Sequence, residues 1–66
     1  MMKVGDSKVV TINGRDLTVM LEKNGYMVWD ASQPEPNFPY FVERSLTRLE
    51  ATSCLAAAHI AIVRGL

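Results

Sequence analysis

The sequence predicts an α+β domain: a three-stranded antiparallel β-meander, with room for a short fourth edge strand, packed on one long C-terminal α-helix in the order β-β-β-α. Three observations carry this. The dipeptides Asn13-Gly14 and Asn24-Gly25 each separate runs of β-favouring residues. All three prolines fall between residues 34 and 39, where they exclude both helix interior and central strand. From Ser45 onward, apolar residues recur at three-four spacing and end at Gly65.

The first turn joins Val9-Val10-Thr11-Ile12 to Leu17-Thr18-Val19-Met20-Leu21, and the second joins that strand to Tyr26-Met27-Val28-Trp29. Both turns are expected to need positive φ, which Asn and Gly tolerate. With two-residue loops, Val10 opposes Leu17, Ile12 opposes Arg15, Leu21 opposes Val28 and Met20 opposes Trp29. Alternation then places Val10, Ile12, Leu17, Val19, Leu21, Tyr26 and Val28 on the side that meets the helix. The other side holds Val9, Thr11, Thr18, Met20, Met27, Trp29 and Ala31 with Asp16 and Glu22. That side is too apolar for a face left wholly in water.

Residues 32 to 39, Ser-Gln-Pro-Glu-Pro-Asn-Phe-Pro, form a stiff connecting loop. Pro36 and Pro39 have P-x-x-P spacing but no neighbouring cation, so they make a poor SH3 ligand. Tyr40-Phe41-Val42 suits the short edge strand. The helix is expected to start at Ser45 or Thr47, because Thr47-Arg48-Leu49-Glu50 has capping-box spacing, and to stop at Gly65. Leu46, Leu49, Ser53, Ala56, Ile60 and Val63 form one stripe, expected to face the sheet. Ala51, Leu55, Ala58 and Ile62 form a second, with Cys54 and Ala61 between. A helix apolar nearly all round is buried nearly all round, and three strands cannot cover both sides. The second stripe, with His59, is therefore expected at a homodimer interface.

Composition points the same way. A 66-residue chain is one domain, 1–66, and a chain this short buries only about 60% of its unfolded surface, so a partner subunit would help stabilise it. Its one cysteine, Cys54, excludes an intramolecular disulfide, and its one histidine, His59, leaves a zinc site poorly supplied. No metal or cofactor is expected. Seven basic and seven acidic residues cancel, with four of each in residues 1–33 and three of each in residues 34–66. Affinity for nucleic acid therefore cannot come from bulk charge. The opening Met1-Met2-Lys3-Val4-Gly5-Asp6 lacks a signal-like apolar run, and no stretch is long enough to span a bilayer. With a single thiol, the reducing cytoplasm is the expected compartment.

Catalytic groupings are scarce. On one helix, Ser53 and His59 lie about 240° apart and Cys54 and His59 about 140° apart, so neither pair can act as nucleophile and base. The carboxylates are dispersed, and glycines at 5, 14, 25 and 65 sit at turns and a helix end, with no phosphate-cradling motif. No enzyme is expected.

Two family outlines are similar. Three strands followed by Ser45-Leu46-Thr47-Arg48-Leu49-Glu50-Ala51 resemble the arm-binding domains of phage integrases and plant AP2-type domains, which lay a three-stranded sheet in the DNA major groove. Here the candidate reading face carries Asp16 and Glu22, whereas Lys8, Arg15 and Lys23 fall on the core side. Leu21-Glu22-Lys23-Asn24-Gly25-Tyr26, a proline loop and Ser45-Leu46 before an alanine-rich helix resemble HicB-type antitoxin domains. Those domains usually have a glycine before the helix, where this chain has Phe41-Val42-Glu43. Both likenesses imply a non-catalytic module that acts through partners.

The expected function is accordingly protein-protein interaction by a homodimer that binds, and thereby regulates or inhibits, another protein, as accessory proteins of phages or mobile elements do. Met20, Met27, Trp29, Phe38 and Tyr40 are the expected partner-binding residues, because Met adapts and Trp is frequent at binding hot spots. Ala51, Leu55, Ala58, His59 and Ile62 are the expected dimer contacts. The alternative is a small DNA-binding or antitoxin-like regulator using the sheet.

Overall fold

The computed structural model describes residues 2–33, 38–43 and 54–66. Four strands, β1 (Ser7–Ile12), β2 (Arg15–Glu22), β3 (Gly25–Asp30) and β4 (Tyr40–Glu43), form one antiparallel sheet in sequence order. Helix α1 (Cys54–Val63) lies across one face and touches every strand. The α+β meander-and-helix fold is the expected one, with β4 as the added edge strand.

The first hairpin follows its turn chemistry. Ile12 pairs with Arg15, and Asn13 and Gly14 have φ of 51° and 80°, the left-handed pair of a type I′ turn. The second hairpin corrects the expected register. Glu22 pairs with Gly25 around Lys23-Asn24, so Leu21 opposes Tyr26 and Met20 opposes Met27, not Val28 and Trp29. Among the described non-glycine residues, Asn13 alone has positive φ.

Gly25 explains the difference. It pairs with Glu43 on β4, and a Cβ there would fall on the Val42 carbonyl oxygen. This glycine serves the close approach of two strands rather than a turn. Moving the turn back by one residue shifts the pairing by two, and an even shift leaves each side chain on its expected face. Before β1, Asp6 N–H donates to Lys3 O and turns the chain, while Gly5 N–H donates to Leu21 O and Leu21 N–H donates to Asp6 O, extending the ladder.

The core lies between sheet and helix. The strands contribute Val10, Ile12, Leu17, Val19, Tyr26, Val28 and Val42, and the helix contributes Cys54, Ala57, Ala58 and Ala61. This corrects the expected helix phase. Val63, assigned inward, is 84% exposed, whereas Ala58, assigned to the outer stripe, is 0% exposed beneath its own sheet. The sheet supplies the bulky side chains, and small residues on the helix let its backbone come close, so volume complementarity sets the rotation. Leu46, Leu49, Ala51, Ser53 and the expected start at Ser45 or Thr47 lie outside the described residues, as do positions 34–37 of the proline loop.

The helix ends as expected at Gly65. Its φ is 115°, its N–H donates to Ile62 O, and Leu66 N–H donates to Ala61 O, which together make a Schellman motif. Arg15 Nη2 then bridges Leu66 O and Asp30 Oδ2, each at 2.7 Å. Asp30 Oδ1 accepts from the Ser32 hydroxyl at 2.6 Å and the Ser32 amide at 3.0 Å. These bonds, from Ser32 first and Arg15 second, hold the Asp30 carboxyl well below the usual carboxylate range. A polar clamp thus ties the helix C-terminus to one end of the sheet.

Candidate interaction face of the sheet

The pleat turns alternate side chains of every strand away from α1, and pairing aligns them into rows. Ser7, Met20, Met27 and Phe41 stand side by side across the four strands; Val9, Thr18 and Trp29 form the next row. Neighbours within a row have Cβ atoms about 5 Å apart, close enough for these side chains to touch. Val9 and Phe41 are exposed, and Thr18, Met20, Met27 and Trp29 are half-buried. The result is one apolar patch on the side of the sheet away from the core.

Charge frames that patch. Asp16 stands beside Thr11 at one end, where the Thr11 hydroxyl donates to Asp16 Oδ1 at 2.7 Å. Glu22 and Glu43 flank Gly25 at the other end. The cations of the strands go the opposite way: Lys8 pairs with Val19 and Arg15 with Ile12, both core positions, so both side chains lie on the helix side. Among the described strand residues, then, the open face carries acid and no base.

The expected partner-binding residues are divided by this geometry. Met20, Met27 and Trp29 come together. Phe38 is exposed ahead of β4, and Tyr40 turns inward, pairing with Val28 and packing on the core, so it belongs to the opposite side of the sheet. Phe41 occupies the place beside Met27 instead. Strand alternation through Tyr40-Phe41-Val42 is the signal that identifies it, once Val42 is known to be buried.

On the far side of the molecule, Leu55 is 52% exposed and His59 and Val63 are also exposed. Ile62 is half-buried and packs on the core, Ala58 lies under the sheet, and Ala51 lies outside the described residues. Helix α1 has the sequence CLAAAHIAIV and bears no carboxylate, lysine or arginine.

Burial pushes the Cys54 thiol up, with Lys8 pulling weakly the other way, and its Sγ sits 3.2 Å from Met2 Sδ. A buried, protonated thiol is a poor nucleophile. Among the described residues, no three His, Cys, Asp or Glu side chains converge as metal ligands, and no helix is long and apolar enough to cross a membrane. Comparison with protein-family models, curated proteins and solved structures finds no match in any of the three.

Proposed function

We propose that the chain is a small non-catalytic interaction module that docks another protein on the open sheet face and regulates or inhibits it by contact. One observation carries the reading. Val9, Met20, Met27, Trp29 and Phe41 form a contiguous apolar patch on a face whose strands already have a separate core behind them. The fold does not need these side chains for its interior, and an apolar patch with acidic ends on a small domain suits a partner contact. DNA reading by the same face is disfavoured, because Asp16 and Glu22 would stand where phosphates lie.

The outer side of α1 supports self-association as a second contact. A helix without carboxylate, lysine or arginine that leaves Leu55 and Val63 in water gains by pairing with another copy. The two contacts lie on opposite sides of the molecule, so they can be tested apart. A pull-down from the native host with wild-type, Trp29→Ala and Leu55→Glu baits is expected to lose its specific partner only with Trp29→Ala. Truncating a buried hot-spot Trp costs about 2 kcal/mol or more, some thirtyfold in affinity. Gel filtration with light scattering is expected to show a wild-type dimer that Leu55→Glu splits. Retention of the partner by Trp29→Ala would overturn the sheet-face reading, and a wild-type monomer at high micromolar concentration would overturn the pairing.

A further inference from the structure

We infer that the partner segment seated on the open sheet face is a basic amphipathic helix, with an apolar stripe and a lysine or arginine near each end. This rests on the reading of that face as a docking surface and adds the chemistry of what docks. The central strands β2 and β3 are paired on both sides, and the outer backbone groups of β1 and β4 point along the sheet edges rather than out of the face, so the face itself offers side chains. An apolar stripe laid across it is the complement such a face accepts, as α1 already shows on the other side.

Charge then selects the occupant. Asp16 and Glu22 stand six residues apart on β2, roughly 20 Å at about 3.3 Å per residue. Met20, Met27 and Trp29 lie between them. A helix rising 1.5 Å per residue covers that span in about thirteen residues, so cations near the two ends of a four-turn helix meet the two acidic ends of the patch. A second copy of this chain docked face to face would set carboxylates against carboxylates. A nucleic acid would set phosphates against them. A helix with acidic ends would fare the same way.

Trp29 is the only tryptophan, so its emission reports occupancy of the face directly. Three synthetic helical peptides of about eighteen residues, sharing one leucine-alanine stripe but ending in lysine, glutamine or glutamate, are titrated into the full chain. The lysine-ended peptide is expected to shift Trp29 emission and to bind at least about tenfold more tightly than the glutamate-ended one at low salt. The gap is expected to narrow at about 0.5 M salt, where screening is short-ranged. The double variant Asp16→Asn, Glu22→Gln is expected to lose the preference while binding the glutamine-ended peptide as before, with an unchanged far-UV spectrum showing that it is folded. Equal affinity for all three peptides, or a preference for the glutamate ends, would overturn the charge assignment and leave the docking face standing. Failure of all three to move Trp29 emission would overturn both.

Discussion

Two substitutions of the same kind, five residues apart on α1, test the helix phase on which both faces depend. Ala58→Asp places a carboxylate at a position with no solvent exposure, facing bulky core residues of the sheet. Burying an unpaired charge costs several kcal/mol, and a domain of this size has roughly 3–5 kcal/mol in total, so Ala58→Asp should leave the chain unfolded. Val63→Asp falls where 84% of the residue is already in water. Full burial of a valine is worth about 1.5–3 kcal/mol, so the remaining sixth contributes roughly 0.3–0.5 kcal/mol. A negative charge in the last helical turn adds a penalty of about 0.3–1 kcal/mol. The sum, about 1 kcal/mol, lowers the melting temperature by roughly 4–8 °C. Urea unfolding followed by far-UV circular dichroism and Trp29 emission measures both variants, and dilution separates folding from association because only the latter depends on concentration. A folded Ala58→Asp beside an unfolded Val63→Asp would refute the phase and restore the stripe of Ala56, Ile60 and Val63 as the core face.

Gly25→Ala should cost about 1–3 kcal/mol by driving a methyl into the Val42 carbonyl and detaching β4, seen as early hydrogen exchange at residues 40–43; unchanged exchange there would refute the close approach. Because the folded Asp30 carboxyl is held below the unfolded value near 3.9, its stabilisation is whole above about pH 4 and drains as pH falls further. Urea midpoints between pH 7 and pH 2 should therefore fall more steeply for wild type than for Asp30→Asn, and identical acid limbs would count against the clamp. Cys54 should react with a thiol reagent only as fast as the fold opens, so labelling at neutral pH should track the urea transition; rapid labelling of the native chain would contradict its burial.

The sheet was legible because its signals are local and discrete. Asn13-Gly14 fits the type I′ turn it encodes, and alternation through residues 9 to 29 separates a core side from an open side whichever turn closes the second hairpin. Asn24-Gly25 misled by one position because its glycine answers to β4, a strand distant in sequence, and no local pattern records that contact. The helix phase was illegible for a different reason. Apolar residues surround CLAAAHIAIV on every side, so hydrophobic spacing selects no face. What settles the rotation is the size of the residues opposite: with Leu17, Val19, Tyr26, Val28 and Val42 filling the gap, alanines fit where isoleucine and valine would hold the helix away.

The same distinction governs how far the candidate site could be read. Met20, Met27 and Trp29 follow from strand parity and needed only the hairpins. Phe41 in place of Tyr40 required β4 to be docked, since a strand of four residues following a proline loop has no parity of its own until Val42 is buried opposite Tyr26. Charge sorting across the sheet is visible in sequence as Asp16 and Glu22 against Lys8 and Arg15, but its meaning changes with the fold. Arg15 is drawn to the helix side by Asp30 and the Leu66 carbonyl, and it closes the end of the core there. Among the described strand residues, the cations Lys8 and Arg15 thus lie on the helix side, with Arg15 bonded there, while Asp16 and Glu22 stand at the two ends of the patch on the open side. We propose that a face made apolar at its centre and acidic at its ends, by a sheet that secures its own stability on the other side, selects its partner by charge, and the three-peptide titration is the measurement that decides it.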